Sequence, residues 1–223
     1  MESEELKHLE SIVAHAENQL AIEQLQSRYQ HWLSLDRMDK VRSLFAMNAP
    51  GVSAEEGDSG VFVGLEGIAR LYPDKDTPEL GVYYEQRATN PIIEVASDGQ
   101  RARGVWFSPG ILTEGTKDIQ GWIYGKYDND YIKEDGEWRI LHLRWRETFT
   151  TSFEKGWLWE THIAGVGKCR PPYWPADEPT TYHMPFDRSR VNYMLPEPPE
   201  LGSLDSSQSS EAMLESAVEG APR

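Results

Sequence analysis

Gly125-Lys126-Tyr127-Asp128-Asn129-Asp130-Tyr131-Ile132-Lys133-Glu134-Asp135-Gly136-Glu137-Trp138-Arg139-Ile140-Leu141-His142-Leu143-Arg144-Trp145 is the stretch that decides the fold. Asp135-Gly136 stands between two strand-like runs, which predicts a hairpin closed by a two-residue type I′ turn. Such a turn fixes the register: Tyr131 is expected to face Ile140, Asn129 to face His142, and Tyr127 to face Arg144. Alternate residues share a sheet face. One face therefore carries Tyr127, Asn129, Tyr131, Trp138, His142 and Arg144, and the other Asp128, Asp130, Arg139, Leu141, Leu143 and Trp145. An aromatic face with a few isolated polar groups suits the wall of a ligand pocket. A slip of one residue would instead turn His142 outward and bring Leu141 and Leu143 inward.

Around the hairpin the chain changes character. Residues 1–20 read as a polar leading helix. Residues 21–47 hold Ile22, Leu25, Tyr29, Trp32 and Leu33 at the spacing of an amphipathic helix. A second short helix is expected through Val41, Leu44 and Phe45, a loop from Pro50 to Gly60, and another short helix at Leu65–Leu71. Strand-like runs follow at Gly81–Ala88, Asn90–Ala96, Ala102–Phe107, Gly121–Lys133 and Glu137–Phe149, separated by turns such as Ser97-Asp98-Gly99. Helices first and antiparallel strands afterwards define an α+β domain over residues 1–150. Residues 151–200 form a Pro- and aromatic-rich arm with Trp157, Trp159, Tyr173, Trp174, Tyr182 and Tyr193. That arm is expected to wrap the domain, cap its mouth or embrace a neighbour. From 201 to 223 Ser, Glu and Ala dominate, the composition of a disordered tail.

A net charge of −15 argues against nucleic acid and anionic membrane as partners. No apolar run reaches the roughly 18 residues of a bilayer span. The acidic amphipathic start, Met1 to Ser11, lacks the basic and apolar regions of a secretion signal, so a cytoplasmic protein is expected. The single cysteine, Cys169, has no internal disulfide partner. Glycine-rich phosphate loops, a nucleophile elbow and His-Glu-x-x-His are all missing from the sequence, and its histidines lack metal-ligand spacing. The expectation is a protein without metal, flavin or nicotinamide.

Several phrases resemble the SnoaL-like branch of the NTF2-like superfamily: Arg28-Tyr29 in a helix ending Leu44-Phe45-Ala46, Thr89-Asn90-Pro91-Ile92-Ile93-Glu94-Val95, Gly104-Val105-Trp106-Phe107-Ser108-Pro109-Gly110, and the hairpin itself. Pro179-Thr180-Thr181-Tyr182-His183 and Pro196-Glu197-Pro198-Pro199 look like the tail of one branch. The resemblance implies a cone in which a curved antiparallel sheet wraps an interior site. It further implies kinship with scytalone and bile-acid dehydratases, polyketide cyclases, ketosteroid isomerase and diarylpropane formaldehyde-lyases. These are cofactor-free acid–base enzymes, although the fold also serves non-catalytic binding proteins.

The residues narrow the chemistry. His142 titrates near neutrality and is the expected general acid or base. Arg144 stays charged and would stabilise an anion. Tyr29 and Asp36 sit near one helix face, a pair that the resemblance places in the pocket; the alternative for Asp36 is a solvent-facing residue at the helix end. Tyr127, Asn129, Tyr131, Trp32 and Trp106 are expected to contact substrate. Gln86 stands near a place where relatives carry histidine, and Arg144 where they often do, so a two-histidine mechanism does not transfer intact. Lys126 and Trp122 fall on the other alternation and suit packing or an interface; His162 and His183 lie in the arm. The expected activity is a cofactor-independent lyase on a small aromatic or polycyclic substrate, releasing water or formaldehyde. The alternatives are an isomerase or cyclase, or a non-catalytic carrier. A homo-oligomer, trimer or dimer, is expected because Leu141, Leu143 and Trp145 would otherwise line a wet outer face.

Overall fold

The computed structural model describes residues 2–74, 80–163, 175–200 and 202–205. No Gly or Pro interrupts the chain before Pro50, and the two expected leading helices are one: α1 runs Glu2–Ser34 without a break. Ile22, Leu25, Gln26, Tyr29 and Gln30 are buried, a stripe of helical spacing along its second half. Leu6, Leu9, Ile12 and Val13 on the first half are each more than half exposed. The helix ends where Asp36 takes a left-handed conformation (φ 55°) and Arg37 N–H reaches back to Trp32 O at 2.9 Å. This is a Schellman stop, with Asp36 in the place glycine often fills. Helix α2 is short, Met38–Arg42, so Leu44 and Phe45 lie beyond it, and Phe45 bridges to Ile140 instead. Helix α3 spans Gly64–Leu71.

The sheet has seven strands: β1 (Ser53–Glu56), β2 (Val61–Val63), β3 (Val82–Gln86), β4 (Thr89–Val95), β5 (Arg101–Glu114), β6 (Ile119–Glu134) and β7 (Glu137–Ser152). Their order is β2-β1-β7-β6-β5-β3, with β4 also paired to β5, so β3 and β4 share one edge of the long β5 end to end. The sheet curls without closing, and α1 packs into its concave side, an NTF2-like cone. Two expectations are corrected. The segment Pro50–Gly60 is not all loop, since β1 lies in it and pairs in parallel with β7. The last three strands also run further than their sequence patterns suggested.

The hairpin follows its turn only at first. Tyr131 faces Ile140 as the Asp-Gly turn dictates, but a β-bulge follows, and from there Asp130 faces His142 and Tyr127 faces Trp145. Leu141 is the extra residue. The alternation on β7 therefore flips: Trp138 and Ile140 point inward, as do Leu143 and Trp145, while His142, Arg144 and Arg146 point outward. Leu143 is fully buried and Trp145 is 5% exposed, both in the core. The physical reason is burial. A regular register would put Leu143 and Trp145 in water, forgoing about 1.5–3 kcal/mol each. It would also place the Arg144 guanidinium in an apolar interior, at several kcal/mol if unpaired. One interrupted ladder position costs on the order of 1 kcal/mol. The bulge wins. The apolar outer face formed by Leu141, Leu143 and Trp145 does not exist, although Trp122 and Phe153, stacked 6.2 Å apart, are exposed aromatic residues.

The outward residues meet the arm. Arg146 pairs with Glu55 at 2.8 Å, Arg144 with Asp130 at 2.7 Å, and Arg103 with Asp128 at 2.8 Å. Thr180 Oγ1, Thr181 N–H and Thr181 Oγ1 all donate to the Glu55 carboxylate, and Lys126 Nζ donates to the carbonyls of Met194 and Pro196. Residues 177–196 thus lie across the outer sheet face rather than over the cone's mouth. Cys169, Tyr173 and Trp174 lie outside the described residues, as does the expected tail, apart from residues 202–205. Those hold the β4–β5 turn: Gly202 N–H donates to Glu94 and Ser97 N–H to Asp205. Among the described residues no helix is long and apolar enough to cross a membrane.

Candidate active site

The polar centre of the interior is a carboxylate on β1, in the segment whose composition predicts a loop. Ser53 and Glu55 on β1 point outward, so Ala54 and Glu56 point inward. Glu56 Oε1 accepts from the Tyr72 hydroxyl at 2.6 Å and from the Tyr29 hydroxyl at 3.0 Å, and the two hydroxyls are themselves 3.0 Å apart. The Tyr29 ring stands edge-on to Tyr72 and to Tyr127, with centroids 6.3 and 5.9 Å away. Burial raises the Glu56 carboxyl above its ordinary range, against the two phenol hydrogen bonds that favour its anion. Burial first, then neighbouring phenol and carboxylate groups, pushes Tyr29 and Tyr72 well above the usual tyrosine value. These phenols stay neutral and donate.

Two glutamines extend the site. Gln86 Oε1 accepts from Tyr84 at 2.6 Å and from Tyr127 at 3.0 Å. Gln26 Oε1 accepts from Tyr131 at 2.8 Å and from Asn129 at 3.0 Å. With both carbonyl ends occupied, each amide must present its NH₂. Neither Nε2 has a protein partner among the described residues, and the same holds for Trp145 Nε1, while Gln30 and Ser108 lie close to the Tyr127 hydroxyl. Unmade buried hydrogen bonds cost about 1–3 kcal/mol each. Several together mark a place where a polar ligand or water completes the bonding. Gly104 makes room for part of the wall: a Cβ there would fall 2.2 Å from the Trp106 ring, which packs edge-on against Tyr131 at 5.8 Å.

Of the residues named from sequence, Tyr29, Tyr127, Asn129, Tyr131 and Trp106 lie together in this interior, and Trp32 packs partly buried against the core. His142 is not with them. It faces outward and shares a 2.9 Å hydrogen bond with Ser53. Arg144 is on the same outer side, held by Asp130. Asp36 is exposed, because ending α1 in a left-handed residue takes its side chain off the buried stripe. Glu56, Tyr72, Tyr84 and the orientation of Gln86 were missed. The one available signal was Val52-Ser53-Ala54-Glu55-Glu56, a short alternation hidden in acid- and Gly-rich surroundings. Among the described residues no group of three or more His, Cys, Asp or Glu side chains is arranged to hold a metal ion.

The SnoaL-like domain model matches residues 14–144, more than half of the chain, and the protein belongs to that family. Solved structures agree on the fold. A protein of Novosphingobium aromaticivorans, provisionally assigned as a scytalone dehydratase, superposes with a TM-score of 0.56 at 18% identity, over 69% of this chain and 97% of that one. A type 2 hexachlorocyclohexane dehydrochlorinase (LinA) gives 0.54 at 17% identity, over 72% and 98%. An NTF2-like superfamily protein of Salmonella enterica gives 0.52 at 15%, over 64% and 99%. No curated protein matches the sequence.

Proposed function

We propose that this protein is a cofactor-independent acid–base lyase. It removes water or formaldehyde from a small aromatic or polycyclic substrate, with Glu56 as the base. The observation that carries the reading is the Glu56 carboxylate, bonded by Tyr29 and Tyr72 beside buried amide NH₂ groups that have no partner among the described residues. A carboxyl raised by burial is a stronger base than a free one, and once Glu56 has taken the proton its phenol partners are released to donate to a developing oxyanion. Dehydration begins by taking a C–H proton and deformylation by taking the hydroxyl proton of a hydroxymethyl group, so one base serves either. Tyr127, Tyr131 and Trp106 offer aryl-sized walls. The names of two similar structures, a dehydratase and a dehydrochlorinase, support elimination as the reaction type. Product analysis with aryl substrates bearing a β-hydroxyl or a hydroxymethyl group tests it, with no metal or nucleotide added. Many equivalents of product, lost in Glu56→Gln, are expected. Stoichiometric binding without turnover would make the protein a carrier, and a product of unchanged mass an isomerase or cyclase.

A further inference from the structure

The interior contains a second carboxylate, and this one has a histidine. Thr150 on β7 bridges to His162, and Thr150 N–H donates to Thr161 O at 3.0 Å, so the start of the arm lies along the end of the sheet. Ile163 packs against the core, its Cδ1 2.9 Å from where a Cβ on Gly121 would stand. Anchored on both sides, His162 brings Nδ1 to 3.7 Å from Glu147 Oε1, with the two side chains 30% and 12% exposed. Thr150 Oγ1 donates to the same oxygen at 2.6 Å. The other oxygen, Oε2, lies 2.7 Å from the Cβ position of Gly57, the residue after Glu56, and the Trp145 ring lies 3.3 Å from that point. Tyr84, raised mainly by burial, also feels the charge of both Glu56 and Glu147. Glu147 thus stands beside the residue that follows Glu56 on the chain, and both carboxylates lie near Tyr84.

We infer that His162 is the general acid of this site, with Glu147 its positioning residue; the assignment rests on Glu56 being the base. A hydroxyl leaves as water only if it is protonated, and the interior phenols are poor donors because burial holds their protons tightly. An imidazole titrates near neutrality and donates readily. Nδ1 turned toward a carboxylate fixes the ring, which leaves Nε2–H to be given. In dehydration Glu56 takes the C–H proton and that bonding pair becomes the C=C bond. The C–O pair goes to oxygen, His162 Nε2–H protonates it, and water departs. Glu56 then returns its proton to His162 through solvent, so no oxidant or reductant is consumed.

Leaving-group dependence tests the role. A β-hydroxy-β-aryl ketone and its β-chloro counterpart give the same conjugated enone, but chloride needs no proton to leave. His162→Ala should slow the hydroxy probe by about 10²-fold, leave the chloro probe within about twofold, and regain part of its rate with added imidazole. His162→Gln should show the same contrast if the alanine variant fails to fold. Glu147→Gln should slow the hydroxy probe alone, whereas Glu56→Gln should slow both. Equal losses on the two probes in His162 variants, or none, would overturn the assignment. If Glu56→Gln keeps both rates while His162→Ala still discriminates, the base is wrong and the acid stands. Conversion of neither probe by the unaltered protein would overturn both readings.

Discussion

Glu55 and Glu56 are adjacent on β1 and serve opposite faces of the sheet. Glu55 points outward, into the Arg146 guanidinium and the arm's threonines, while Glu56 points inward to two phenols. The alternation of a four-residue strand thus ties the docking of the arm to the placement of the interior carboxylate.

That tie is measurable. Glu55→Ala leaves Arg146, 2% exposed, without its carboxylate, and should lower unfolding free energy by about 3–5 kcal/mol. Thr181→Val removes two side-chain bonds, one to Glu55 and one to Arg146, and should cost about 1–3 kcal/mol. Urea unfolding of each variant checks the order. A Thr181→Val variant as stable as the parent would mean that the arm does not hold β1.

Glu56 should trade stability for activity. Its folded-state carboxyl is raised, so between the unfolded value and the higher folded one the native state holds the extra proton. Stability falls as pH rises through that window, and above it the loss is constant. Glu56→Gln removes the penalty. The variant should melt at or above the parent temperature at neutral pH, with a smaller pH dependence just above the ordinary carboxylate range, and turn over about 10²-fold more slowly. Calorimetry across pH, paired with rates, decides it.

His142 should be dispensable for chemistry. Because the bulge at Leu141 turns it outward against Ser53, His142→Gln should keep turnover within about twofold. Deleting Leu141 would remove the bulge and join Ile140 to His142 with the same partners, leaving His142 outward and Leu143 and Trp145 inward, so that variant should fold with the same interior. A large loss of activity in well-folded His142→Gln would contradict the outward placement.

Gly104 should tolerate no side chain while Trp106 lies over it. Gly104→Ala forces a methyl into the ring and should destabilise by about 1–3 kcal/mol. Combining it with Trp106→Leu should recover part of that loss, as a double-mutant cycle would show.

Much of this was legible in the chain and some was not. The α+β order, the Asp135-Gly136 turn, the helical stripe through Tyr29 and the aromatic face with Tyr127, Asn129 and Tyr131 are written in local signals: periodicity, turn residues and alternation within a few positions. Such signals follow from backbone sterics and side-chain spacing, which act over one or two turns of chain. Asp36 lay at the edge of this reach, where a helix stop and a helix face are the same residue until the backbone chooses.

Three features needed the tertiary structure. The bulge at Leu141 is set by which side chains the cone must bury, a comparison of distant surfaces that no turn can make. Glu56 became the interior carboxylate only when a four-residue strand found β7 as a parallel neighbour across some ninety residues of sequence. Tyr72, at α3's end, reached the same interior by packing, and the arm brought His162 beside Glu147. Local sequence fixes what each segment is, because its energetics are short-ranged. Which face of a short strand turns inward is settled by burial summed over the whole fold.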